Sequence, residues 1–484
     1  MVEAATSNIS TVDKTATEAN IEAKWEDWYV KGLSDFIRVP NLSPNYDAEF
    51  LTNGRIEEAM TLVDTYINQL EIAGLSKQIF QPEGSCPLVV YVVEATQGCT
   101  KNVMLYGHLD KQPWMEGWAE GLGPCEPVLR GEYLYGRGGA DDGYSPFSCM
   151  LAIKNLQQQG VKLPRCSLVL ETEEESGSPN LLRLLDVAKD FIGPPDYMFC
   201  MDSGAFDYNQ LWCTSSLRGV NIVELTVEFG KSGYHSGEVG GIIPETFRVI
   251  RSLLDRVDNS ATGMVVDDFQ VEIPAWARAE AERMAALSGA EMHSKYDYCE
   301  GGRPMDCDNL PEMYLNNTWR ANLSITGAAG LPDVSIAGNV VRSSTSVKLS
   351  LRLPPSANPV ETEAKLIQLL TVDAPYGAKV TAKGGHTGQG WCMKTMMPWL
   401  EAALKKSGKD FFDGMDTGTY GMGGSIPFLA ELDKMYPNSF IMALGLIGPK
   451  ANAHAVNECI NLTYAKKLTK ALSHLIAEVA AKED

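Results

Sequence analysis

The stretch Met104–Asp142 constrains this chain more than any other. It opens with the apolar run Met104-Leu105-Tyr106, which passes through Gly107 into His108-Leu109-Asp110, and it closes with Gly136-Arg137-Gly138-Gly139-Ala140-Asp141-Asp142. A short apolar run of this kind suits a buried strand. Side chains two apart on a strand share a side, so His108 and Asp110 are placed to act as a unit. A metal-bound imidazole commonly has its second nitrogen engaged by a carboxylate, which fixes its orientation and basicity. The two adjacent aspartates sit at a glycine-rich turn, where the backbone can carry a side chain into a cleft. Together these features predict half of a metal site.

The 484 residues, 44% of them hydrophobic, can bury a large core and exceed a single typical domain, so two structural units are expected. A net charge of −21 excludes nucleic acid and anionic membrane as partners, because both would repel it; it reads as a solvated acidic surface. No apolar run approaches a membrane span, and residues 1–18 lack the basic and apolar regions of a secretory signal. Eleven cysteines, an odd number scattered without Cys-x-x-Cys pairs, fit reduced thiols. A cytoplasmic protein is expected.

Residues 19–39 have helical character that Pro40 ends, and residues 54–75 read as a clearer helix with Ile56, Ala59, Met60, Val63, Ile67 and Leu70 on one face. Runs over 87–93, 103–106, 167–170 and 197–201 suit strands, with helices over 147–159 and 181–188 between them. Strands alternating with helices predict an α/β sheet. The texture changes at Arg218: residues 220–229 and 347–353 alternate, 245–257 and 359–370 are helical, and a long irregular insertion spans about 260–317. This reads as a β-α-β-β-α-β unit. Helices over 395–406, 426–435 and 462–480 and a strand over 440–446 restore the α/β texture. The expected organisation is a catalytic α/β domain, residues 1–215 and 389–484, interrupted by an α+β domain over 216–388.

Four more places carry candidate donors. Glu171-Thr172-Glu173-Glu174-Glu175 follows an apolar strand. An acidic run is usually a solvated face, but this one falls where an α/β sheet presents its active-site edge. Asp202 also ends a strand, His454 precedes the last helix, and His235 lies inside the inserted domain. Each alone reads more simply as a turn, cap or core residue. Two histidines with several carboxylates and no cysteine suit Zn²⁺, with Mn²⁺ or Co²⁺ as alternatives, and two ions share such a site if one carboxylate bridges them.

In order, Gly107-His108-Leu109-Asp110-Lys111-Gln112-Pro113, then Leu134-Tyr135-Gly136-Arg137-Gly138 leading to Asp141-Asp142, then Glu174-Glu175-Ser176-Gly177-Ser178, Asp202 and His454 resemble the motif series of the M20 metallopeptidases. The first motif, with Tyr234-His235-Ser236-Gly237 and Gly423-Gly424-Ser425-Ile426-Pro427, is similar to the carnosinase-like cytosolic dipeptidase branch. The resemblance extends from about Trp25 and keeps motif order. It implies two divalent ions, one held by His108 and Asp202, the other by Glu175 and His454, with Asp141 bridging. It further implies that Asp110 orients His108 and that Glu174 is the general base. The inserted domain would be a ferredoxin-like lid and dimerisation domain, His235 reaching the partner subunit's active site with Asn339 alongside. Arg352 and Ser425 match positions that grip the substrate's terminal carboxylate, and His386 matches a substrate-side histidine less closely. The family usually follows its paired aspartates with Lys-Gly, whereas Gly143-Tyr144 stands here, and a cis peptide is expected between Asp141 and Asp142.

The resemblance implies metal-dependent hydrolysis of dipeptides or short peptides by a homodimer. Two alternatives stand beside it: an N-acyl amino acid deacylase, since the same metals cleave any amide, and a catalytically silent binding protein on the same fold.

Overall fold

A computed structural model describes residues 11–482, apart from 295, 297 and 425. The chain divides into two compact units, one built from the residues up to Thr214 with Met393–Thr419 and Glu431 onward, the other from Ser215–Cys392 with Tyr420–Ala430.

The first unit is a mixed α/β structure. Its sheet runs in the order Leu75–Phe80, Leu88–Val93, Arg165–Glu171, Asn102–His108, Tyr197–Cys200, Phe440–Ala443, Trp212–Leu217. The four strands from Arg165–Glu171 to Phe440–Ala443 are parallel, and antiparallel pairs flank them. Leu88–Val93 and Asn102–His108 are buried at every residue, as strands covered on both faces must be. The covering helices include Ser145–Gln159 and Leu462–Ala480, apolar around most of their circumference and correspondingly buried. Asn461 starts the last helix by accepting the Tyr464 N–H at 2.8 Å. Among the described residues, no helix is long and apolar enough to cross a membrane.

Two expectations need correction here. The helix expected over 54–75 is Arg55–Asn68, and Leu75–Phe80 is an edge strand. Gly74, at φ +71°, makes the turn between them. The strand's interior residues are exposed, so they carry no apolar alternation to announce it.

In the second unit, strands Gly219–Glu228, Asn322–Ala329, Ser344–Leu353 and Lys379–Gly388 form an antiparallel sheet in the order second-third-first-fourth. Helices Thr246–Leu254 and Pro359–Thr371 complete β-α-β-β-α-β connectivity. Val223, Leu225 and Val227 from the first strand, with Val347, Leu349 and Leu351 from the third, face these helices in a common core. The stretch read as irregular over 260–317 holds the helices Ala275–Ser288 and Leu310–Thr318. The first of these buries mainly small residues, Ala277, Ala281 and Ala285 with Met284, so its apolar stripe is too shallow to stand out in the sequence. Its buried Glu280 accepts from Ser215 Oγ at 2.9 Å and from Tyr314 Oη at 3.0 Å, tying the two helices together.

Candidate active site

The parallel strands end together, and the candidate donors follow their carboxyl ends. His108 closes Asn102–His108, Glu174 and Glu175 lie just past Arg165–Glu171, and Asp202 follows Tyr197–Cys200. Asp141 arrives differently. It sits in a π-helical turn, Gly139–Gly143, and the Asp141–Asp142 peptide is cis, as expected. A small three-stranded sheet, Val128–Arg130, Tyr133–Tyr135 and Cys459–Asn461, brings this turn beside the loop that carries His454.

One donor atom from each of His108, Glu174 and Asp202 lies within 4.8 Å of the others, and the same holds for His108, Asp141 and Glu175. Asp141 Oδ1 is 3.2 Å from His108 Nε2, while its Oδ2 is 2.9 Å from His454 Nε2. His454 Nε2 also lies 3.2 Å from Glu175 Oε2. The five ligands expected from the sequence therefore converge. Glu174, expected as a base, brings its carboxylate to the same cluster.

The protonation pattern tests whether these residues fit a cation. His108 Nδ1 faces the Asp110 carbonyl oxygen at 3.1 Å, an atom that only accepts, so this nitrogen carries a hydrogen. Nε2 faces Asp141 Oδ1, and although burial opposes it, Asp110 and Asp141 raise the ring well above the ordinary imidazole value, so its proton holds the place of a cation. Asp141 Oδ2 is buried against His454 Nε2. Burial and the neighbouring Asp141 carboxylate raise Glu175 to about 7. Burial likewise raises Asp202 to about 6, opposed by His108. Asp141 and Glu175 overcome the effect of burial on His454 and lift it to about 11. Carboxylates held partly neutral and imidazoles held charged mark a donor set that lacks positive charge, which one or two divalent ions would supply.

Asp110 does more than expected. Its carboxylate stands 3.4 Å from His108 Nδ1 and also accepts the N–H groups of Glu174 at 3.1 Å and Glu175 at 3.0 Å. It fixes the ring and the acidic turn together. Gln112 donates to Glu175 Oε2 at 2.5 Å, a contact visible beforehand only as one letter of a motif. Buried Arg137 pairs with buried Glu458 at 2.6 Å, and Glu458 accepts from Gly138 N at 3.0 Å and Ala140 N at 3.3 Å, holding the Asp141 turn to the His454 loop. Nothing local in the sequence announces that pair.

The departure at Gly143-Tyr144 has a physical basis. A Cβ at Gly143 would lie 2.2 Å from the Phe36 ring and 2.5 Å from the Gly138 carbonyl oxygen, so no side chain fits. Tyr144 is fully buried and donates through Oη to Met201 O at 2.5 Å, tying the Asp141 turn to the segment that carries Asp202.

The remaining expected residues belong to the second unit. His235 is exposed on a two-stranded ribbon, Tyr234–His235 with Val340–Val341, and its Nδ1 accepts from Gly237 N at 3.2 Å. Asn339 is exposed beside it and accepts the Ser236 N–H through its carbonyl at 2.9 Å. Arg352 is half-buried on its strand, paired in register with Val220 and Asn322. His386 is exposed where the register of Lys379–Gly388 shifts. Ser425 lies outside the described residues.

Comparison with known proteins agrees with this geometry. A model of the peptidase family M20/M25/M40 matches residues 104–478. The cysteinylglycine-S-conjugate dipeptidase of Corynebacterium striatum is 25% identical over 377 residues, covering 77% of this chain and 79% of that protein. The Cys-Gly metallodipeptidase dug1 of Schizosaccharomyces pombe is 22% identical over 479 residues, covering 95% and 97%. The crystal structure of human carnosine dipeptidase 1 superposes with a TM-score of 0.74 at 20% identity, covering 96% of this chain and 98% of that one. With the family model spanning well over half of the sequence, this chain is a member of the peptidase family M20/M25/M40.

Proposed function

We propose that this protein is a metal-dependent dipeptidase that cleaves dipeptides or short peptides carrying a free terminal carboxylate. The observation that carries the reading is Asp141, whose two oxygens address His108 at 3.2 Å and His454 at 2.9 Å, as a carboxylate shared between two ions requires. His108 and Asp202 would hold one ion, Glu175 and His454 the other, and the nitrogen and oxygen donors suit Zn²⁺. Divalent ions bound there polarise the scissile carbonyl and make water a stronger nucleophile near neutral pH.

The chain's own groups do the rest. Glu174 is half-buried, and burial with the nearby Asp202 carboxylate raises its pKa well above that of a free glutamate. A carboxyl so tuned takes a proton from the attacking water and returns it to the departing nitrogen. Asp110 keeps His108 and the Glu174–Glu175 turn in fixed relation, so no reorganisation is needed as charge develops. Arg352 offers a permanently charged, two-pronged donor for a terminal carboxylate, with Ser425 and His386 as its companions. The relatives' names, a cysteinylglycine-S-conjugate dipeptidase and Cys-Gly metallodipeptidases among them, support a dipeptide substrate.

In this reading the second unit is a lid and dimerisation domain, and His235, with Asn339, completes the active site of the partner subunit. Its support is local: Ile242, Val334 and Ile336, each more than three-quarters exposed, lie close in sequence to this ribbon, and apolar side chains left so open suit an interface. Eleven cysteines without a disulfide agree with a reducing, cytoplasmic setting.

The test is a substrate screen on purified, Zn²⁺-loaded protein. Free amino acids should appear from dipeptides and not from N-acyl amino acids. Turnover confined to N-acyl amino acids would move the reading to a deacylase, and no turnover on either set would leave a silent binding protein. His235→Ala should cut turnover far more than metal content; equal loss of both would contradict its role.

A further inference from the structure

Two of the turns that carry donors in the first unit, after His108 and at Glu174–Ser176, are joined by a third segment. The helix Lys31–Arg38 ends at Val39, and residues 41–45 then cross both turns. Asn41 donates through Nδ2 to Leu109 O at 2.6 Å, next to His108. Ser43 N donates to Lys111 O at 2.9 Å, next to Asp110, and Leu42 pairs with Lys111 as a parallel bridge. On the other side Ser43 Oγ lies 2.6 Å from Ser176 Oγ, which also accepts from Asn45 N at 2.9 Å, next to Glu175.

Lys111 closes this arrangement from below. Its side chain is fully buried, and Nζ donates to the carbonyls of Phe36 at 2.9 Å, Ile37 at 3.2 Å and Val39 at 2.7 Å, with the Phe36 ring 4.5 Å away. The last carbonyls of a helix have no partner within it, and an ammonium has three hydrogens, so donor and acceptors match in number. Among the described residues no carboxylate pairs with Lys111. Burial draws its pKa down to about 7, and the three carbonyls, which can only accept, favour the charged form. A buried cation spent on a helix end, three residues from His108 and next to Asp110, is costly unless the junction it fixes matters.

We infer that residues Asn41–Asn45 and Lys111 form a positioning brace that holds the His108–Asp110 turn and the Glu174–Ser176 turn in register, so that donors from both meet the same ions. The inference rests on the metallopeptidase reading above. Asp110 already spans the two turns from within, and residues 41–45 repeat the span from outside with backbone, amide and hydroxyl groups. Groups in such supporting positions typically change metal affinity about 10–100-fold when removed.

The experiment titrates Zn²⁺ into the metal-stripped full chain and follows melting with and without the ion. Ser43→Ala removes one hydroxyl tie and leaves the helix end intact; Lys111→Met removes the cap. Both are expected to weaken Zn²⁺ binding about tenfold or more and to shrink the rise in Tm that Zn²⁺ produces. Ser43→Ala should leave the Tm of the stripped protein nearly unchanged, and Ser43→Thr, which keeps the hydroxyl, should recover affinity. If wild type binds Zn²⁺ while folded Ser43→Ala binds it equally well, the brace is structural and the inference falls alone, even if Lys111→Met does not fold. If wild type binds no divalent ion, the metallopeptidase reading and the brace fall together.

Discussion

Glu174 and Glu175 are neighbours in the chain with opposite assignments, and substitution separates them. Glu174→Gln keeps the shape of the side chain and removes its basicity. It should lower turnover by roughly 10²–10⁴-fold with metal content unchanged, checked by dipeptide hydrolysis beside elemental analysis. Metal lost from this variant would make Glu174 a ligand instead. Arg137→Ala tests a different kind of residue. It strands Glu458, whose side chain is 0% exposed, without its ion-pair partner. Removing one member of a buried pair costs about 3–5 kcal/mol, so urea unfolding should show a loss of that order; a change under 1 kcal/mol would refute the buried-pair argument. At this scale His108, Asp141, Glu175, Asp202 and His454 were all readable in the sequence, because each stands in a short motif. Gln112 and Arg137 stood in motifs too, but what they touch was not readable, since their partners Glu175 and Glu458 lie far away in the chain.

At the scale of elements, the turn Gly139–Gly143 is the one most tightly specified by its surroundings. Glu458 receives its N–H groups, Phe36 fills the space beside Gly143, and Tyr144 anchors its end. Gly143→Ala should therefore destabilise the protein by about 1–3 kcal/mol through overpacking, measured by chemical denaturation, and Gly143→Lys by at least as much. An alanine variant as stable as wild type would show that Phe36 yields more easily than its packing implies. Strands Leu88–Val93, Asn102–His108, Arg165–Glu171, Tyr197–Cys200 and Phe440–Ala443 and most long helices were legible, because burial demands an apolar run where both faces are covered and an apolar period where one is; Trp212–Leu217, Asn322–Ala329 and Lys379–Gly388 were not read. The edge strand Leu75–Phe80 and the alanine-lined helix Ala275–Ser288 were not, since neither buries enough large apolar side chains on one face to print that period.

For the whole molecule, metal binding and proton binding compete for the same atoms. Glu175, raised to about 7, and Asp202, raised to about 6, take up protons as pH falls through those values, and each proton opposes the ion. Zn²⁺ affinity should therefore fall steeply as pH drops from 7 to 5, with protons released on binding in unbuffered titration. A pH-independent affinity would contradict the assigned ligands. Chelation should lower Tm for the same reason that binding raises it: a ligand held only by the folded state adds about 2.7 kcal/mol at one hundred times its Kd. The sequence by itself determined which groups are available and that His108, Glu174, Glu175 and Asp202 stand at strand ends, because strand periodicity and the glycine and acid punctuation at strand ends act over a few residues. Tertiary structure alone decided that Arg137 finds Glu458, and that Asn41 and Ser43 bridge two donor turns. These contacts join segments distant along the chain, and only the packing of the sheet and its covering helices selects among the many partners each side chain could meet.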